Sequence, residues 1–211
     1  MSMTIEELTL AVWPRKLAEH NVLLHFALQV MEQEGLLDSK TVEQIAETRL
    51  LPLKLSWIKV DQTGSLELAE QLLPDTLILY NDLGTLIHQI APEEPIPIVM
   101  LTESLLHHMT EEADMVQHKL GLEQLNKKLD TSFWRHHHAE VLDALTVLKG
   151  IARTVDWSKI DPRILRDLRQ SLQKDGLTKE AHAQDRGQVL LNAFIQHEAG
   201  EEEYGRLLTN L

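Results

Sequence analysis

VWPRKLAEHNVLLHF, residues 12–26, repeats its apolar residues at the spacing of an α-helix. At about 100° per residue, Trp13, Leu17 and Leu24 share one stripe, and Leu28 and Met31 continue it. His20 falls inside that stripe and Glu19 on its flank. The same period recurs along most of the chain. Leucine is abundant and aromatics are 4%, too few to favour a sheet. The reading is all-α: an up-down helical bundle with extra short helices.

Helix boundaries follow from caps and breakers. Thr4 caps a first helix that runs to about Gly35, with Pro14 as a kink. Asp38 or Ser39 opens the next, and Pro52 is expected to interrupt it. The stretch 53–90 reads as short helices broken at Gly64 and Pro74. APEEPIP (91–97) holds three prolines in seven residues and reads as a linker. A long helix is expected from Ile98 to Gly121, and another, capped at Asp130, Thr131 or Ser132, to Arg153. Asp161-Pro162 is an N-cap with proline at the first helical position, and Gly176 closes that helix. Thr178 opens the last. The organisation is an N-terminal half (1–90), the linker (91–97) and a C-terminal half (98–211), both halves packing as one bundle domain.

Composition excludes several functions. A net charge of −13 repels phosphate backbones and anionic membrane surfaces, so neither nucleic acid nor membrane is an expected partner. No apolar run approaches the roughly 20 residues of a membrane helix, and the N-terminus lacks a basic-then-apolar signal pattern. Zero cysteines exclude disulfides and thiolate metal sites, and suit the cytoplasm. The segment 38–62 has a faint helix-turn-helix outline, but its Leu-Pro turn lacks glycine and few of its charges are basic. Nucleotide-loop, nucleophile-elbow and H-E-x-x-H signatures are missing.

Four stretches pair histidine with glutamate on one flank or seam of a helix: Glu19–His20, His108–Glu112, His137–Glu140 and His197–Glu201. In LLHHMTEEADMVQHKL (105–120) the stripe is Leu105, Leu106, Met109, Ala113, Val116 and Leu120. Glu112 and His108 lie on one edge of it, one turn apart; His107, Glu111 and His118 point to solvent. In 132–153 His137 lies near the centre of the stripe Val141, Leu145, Leu148 and Ala152, with Glu140 on the flank. In the last helix His197 and Glu201 lie within the stripe of Leu190, Ala193, Phe194 and Leu208. An ionised carboxylate turned toward an apolar core pairs, protonates or binds a metal. One divalent ion would compensate several such groups and take the imidazoles as ligands. Imidazole and carboxylate donors suit iron or manganese, with zinc as a further option. If the protein is an enzyme, a non-haem iron or manganese oxidoreductase is expected ahead of a hydrolase, with storage of metal as the non-catalytic form. Tyr80 and Tyr204 are redox tyrosines by residue type only. The competing reading takes the same residues as local ion pairs on a metal-free acidic adaptor, whose leucine-rich stripe holds a protein partner or a second copy.

Residues 12–26 and 133–147 (FWRHHHAEVLDALTV) align without a gap, matching Trp13 with Trp134, Ala18 with Ala139 and Glu19 with Glu140. These segments, together with LLHHMTEEAD, resemble a family of bacterial ferritin-like, two-repeat helical proteins of unassigned function. Over about 60 residues the resemblance implies a bundle with metal held between helices. It assigns Glu19 and His20 from the first motif, His108 and Glu112 from the second and Glu140 from the third. Val141 stands where the family pattern has histidine, with His137 as the neighbouring substitute. The Glu-x-x-His signature of wider di-iron bundles is absent.

Overall fold

Lys16 through Leu24 are buried without interruption, so one helix passes through the middle of the molecule. The computed structural model describes residues 5–90, 95–126, 146–148 and 150–174, with side chains described from Trp13 onward and, in the fifth helix, to His118. The central helix, α1 (Ile5–Gln33), is followed by α2 (Ser39–Ile45), a π-turn (Ala46–Leu50), α3 (Leu51–Thr63), α4 (Leu66–Ile90) and α5 (Pro97–Asn126). Residues 146–148 and 150–152 are helical, and α6 (Pro162–Lys174) comes last. No strand occurs among the described residues, so the all-α expectation holds.

Helix α1 packs against α3, α5 and α6, while α4 lies on α5 and α3. A helix covered on three sides hides residues beyond its apolar stripe, so Lys16, Glu19, His20 and Asn21 of α1 are as buried as Leu17 and Leu24. Helix α4 has the one-sided pattern of a surface helix: Ala69, Leu73, Thr76, Tyr80, Leu83 and Ile87 form one buried stripe. Burying each large aliphatic residue of this kind contributes about 1.5–3 kcal/mol. Trp57 on α3 donates its indole N–H to Thr76 Oγ1 at 3.0 Å, and Thr76 donates to the Leu72 carbonyl at 2.8 Å. Arg49 on the π-turn meets Asp82 on α4 at 2.8 Å.

The caps fall where residue chemistry puts them. Gly35 takes φ +74°, and the Gly35 and Leu36 amides donate back to Glu32 and Met31, closing α1. Asp38 accepts from the Thr41 amide at 2.9 Å, and Asp161 from the Arg163 amide at 2.8 Å. Gly64, at φ +62°, ends α3. Gln33, at the end of α1, donates to the Lys159 carbonyl and accepts from the Asp161 amide, both at 2.7 Å, which fastens the turn before α6. Phe26 stacks on Trp157 with rings 6.1 Å apart and 7° from parallel.

Three expected breaks do not occur. Pro52 does not interrupt the chain, because the π-turn widens the helix just before it and the Leu51 amide reaches the Ala46 carbonyl. The ring, which would collide with a carbonyl one α-turn back, is thereby accommodated. Helical structure thus runs through 39–63 with no turn of the helix-turn-helix kind. Pro74 lies inside α4 at an exposed position, and the helix continues through it to Ile90. Helix α5 continues past Gly121 to Asn126. One interior glycine costs only about 1 kcal/mol relative to alanine, and helical neighbours outweigh that. Pro14, expected as a kink, lies inside α1. Residues 91–94 of the expected linker and the helix from Thr178 lie outside the described residues, and α5 starts at Pro97, the linker's last residue.

Candidate metal centre

Helices α1 and α5 meet through polar side chains in an otherwise apolar core. From α1 come Lys16 and His20, from α5 His108 and Glu112; Glu19 and Asn21 of α1 are buried as well, and all six are at most 3% exposed. Positions 16 and 20 are one turn apart on α1, as 108 and 112 are on α5, so each pair presents to the same neighbour.

Glu112 is the hub. Its Oε2 lies 3.2 Å from His20 Nε2 and 3.9 Å from His108 Nε2. Its Oε1 lies 3.1 Å from Lys16 Nζ, which donates to it. The Lys16 ammonium also lies 4.8 Å from the centre of the Trp13 ring, a cation–π arrangement. The His20 and His108 rings meet edge to face at 6.1 Å. Glu19 is 1% exposed and its Oε1 stands 3.7 Å from Arg15 Nε, one turn earlier. Asn21 donates to the Leu17 carbonyl at 2.7 Å.

The donor set fits a divalent ion. One atom each from His20, His108 and Glu112 lie within 4.8 Å of one another, all buried. An ion holding its ligands at about 2.1 Å separates them by roughly 3.0–3.4 Å. The His20–Glu112 distance of 3.2 Å already meets that; the 3.9 Å from His108 to Glu112, and the separation of the two imidazole donors within the 4.8 Å span, contract on binding. Two imidazoles with one carboxylate form a three-ligand set that leaves coordination positions open, as in non-haem iron(II) and catalytic zinc sites.

Three of the residues expected to bind metal are therefore buried together, His20, His108 and Glu112; Glu19 is buried too, but the structure pairs it with Arg15 and it is not one of the three. Glu19 and Glu112, expected on the flank and edge of their stripes, are as buried as the stripes themselves. His107 and His118 are exposed and Glu111 is half-buried. His137, Glu140, His197, Glu201 and Tyr204 lie outside the described residues. Tyr80 is buried on α4. Sequence reasoning passed over Lys16, although its spacing of four from His20 puts it on the same face.

A separate cleft of about 630 Å³ lies between α1, α3 and α6, with His25, Lys54 and Asp167 among its lining residues. Burial holds the His25 imidazole below its ordinary value of 6.5; Asp167 opposes that shift and Lys54 adds to it.

The fold and cluster define an all-helical protein with a buried histidine–carboxylate centre. No helix among the described residues is long and apolar enough to cross a membrane. Comparison with protein-family models, curated proteins and solved structures gives no match to this chain.

Proposed function

We propose that this chain is a helical-bundle metalloprotein that binds a divalent ion, iron or manganese ahead of zinc, through His20, His108 and Glu112. The observation that carries this reading is the convergence of two imidazoles and a carboxylate inside the core, all within 4.8 Å. Histidine and carboxylate without thiolate favour iron or manganese. Such an ion, when bound, supplies redox or Lewis-acid chemistry at its open positions. Two neutral imidazoles and one carboxylate oxygen hold it, while the surrounding leucines exclude water. The proposal extends to the ferritin-like reading of family and fold, supported by the burial of its first two motifs. It also extends to Glu19, His137, Glu140, His197 and Glu201 as further ligands of one or two ions, and to a cytoplasmic location, which the absence of cysteine suits.

A metal-free adaptor is the second reading. Leu51 and Leu55 support it, standing 47% and 52% exposed one turn apart on α3. Elemental analysis of untagged protein separates the two. The metalloprotein reading expects stoichiometric iron or manganese, lost in both His20→Ala and Glu112→Ala. Glu140→Ala, measured in the same way, tests the further ligands. Wild-type protein without metal, with a Tm indifferent to added iron, manganese and zinc, would overturn the metalloprotein reading.

A further inference from the structure

We propose that the Lys16 ammonium is a built-in counter-cation of the His20–His108–Glu112 cluster, holding Glu112 Oε1 so that only Oε2 is available to a metal ion. The inference rests on the metal-binding reading above and adds a residue that sets affinity and ligation mode.

The two oxygens of Glu112 face different partners. Oε1 takes the Lys16 ammonium at 3.1 Å, while Oε2 faces His20 and His108 at 3.2 and 3.9 Å. Lys16 cannot easily swing away. It is 3% exposed, its ammonium lies against the Trp13 ring, and leaving would break a buried charge pair. Two consequences follow. Without metal, the lysine compensates the Glu112 charge, so the α1–α5 contact forms before any ion arrives. With metal, Glu112 ligates through one oxygen, and the ion binds against a positive charge a few ångströms away. That repulsion lowers affinity, and one-oxygen ligation disfavours large oxygen-seeking ions such as calcium, which commonly take carboxylates through both oxygens. Lys16 is thus a positioning residue: it acts on the metal through Glu112.

The test is titration of metal-free protein with cobalt(II), followed by visible absorption, in the wild type and in Lys16→Met, Lys16→Gln and Lys16→Arg. Lys16→Gln keeps a donor for Oε1 without the charge and serves where Lys16→Met does not fold. The neutral variants should bind cobalt at least about tenfold more tightly, because a unit charge near a divalent ion in a weakly screened site is worth that or more. Lys16→Met should also change the cobalt spectrum as the second oxygen is released. Lys16→Arg should retain wild-type affinity and spectrum. A lysine that only props up the fold would instead weaken binding on removal. Binding in the wild type with equal or weaker binding in both neutral variants would refute the role of Lys16 and leave the metal site standing. Binding in the neutral variants alone would uphold Lys16 as the occupant and refute native metal binding. Absence of binding in every variant would overturn both.

Discussion

Removing either member of the Lys16–Glu112 pair from metal-free protein should unfold it at markedly lower denaturant, whereas removing both should not. The charged atoms are 3.1 Å apart, and the side chains are 4% and 1% exposed, so solvent screens them little. At an effective dielectric constant of about 20, their attraction at that distance is about 5 kcal/mol. Desolvation of the two ions offsets most of this, which leaves a small net contribution from the intact pair. A single replacement removes the attraction and keeps one desolvated ion. Lys16→Met or Glu112→Leu should therefore each destabilise by about 3–5 kcal/mol. In a chain of this length that corresponds to a Tm lowered by roughly 6–20 °C. The double variant replaces the pair with apolar groups of similar size, and its loss should fall short of the summed single losses by more than about 2 kcal/mol. Urea titration followed by far-UV circular dichroism, with chelator present, measures all four corners of the cycle. Single losses under about 1 kcal/mol, or strict additivity, would show that the two charges do not depend on each other and that the packing argument is wrong.

Three further expectations bear on the scaffold. Trp57→Phe removes the indole bond to Thr76 at 3.0 Å between α3 and α4, and should destabilise by about 1–2 kcal/mol; an unmoved urea midpoint contradicts that. Gly64→Ala has space, with nothing within 4 Å of the added methyl, but must hold φ +62°, so it should lose about 1 kcal/mol in the same titration. The third concerns acid. Above pH 6.5 His25 is neutral in both folded and unfolded chains and contributes nothing; as pH falls through that value the unfolded chain takes a proton the folded chain resists, and stability declines. His25→Gln should flatten that part of the stability–pH curve, and equal slopes for both proteins would show that His25 is not its source.

Much of the local structure was legible because it depends on near neighbours. Gly35, Asp38, Gly64 and Asp161 end or cap helices as their chemistry requires. The stripes of α1 and α5 were legible too, and with them the inward aim of His20; His108 and Glu112, read on the edge of theirs, are fully buried. Pro52, Pro74 and Gly121 misled because a breaker's penalty is a few kcal/mol at most and depends on what surrounds it. A π-turn accommodates the first, and continuing helix carries the chain through the second and third. The flank position of Glu19 misled in another way: a wheel ranks faces of one helix and is silent about how many faces its neighbours cover. Lys16 was missed for the same reason, since a lysine ordinarily signals a wet face.

The sequence by itself determined that this protein is helical, where several of its helices begin and end, and that any transition-metal centre in it uses imidazole and carboxylate. Those properties follow from the 3.6-residue period, from capping chemistry and from the absence of cysteine, all of which operate within a few residues. Tertiary structure alone decided that α1 is enclosed by three other helices, and that Lys16 reaches Glu112 across 96 positions of chain. Burial and charge pairing at that separation depend on which surfaces the packed helices hide from water, and no local pattern encodes that choice.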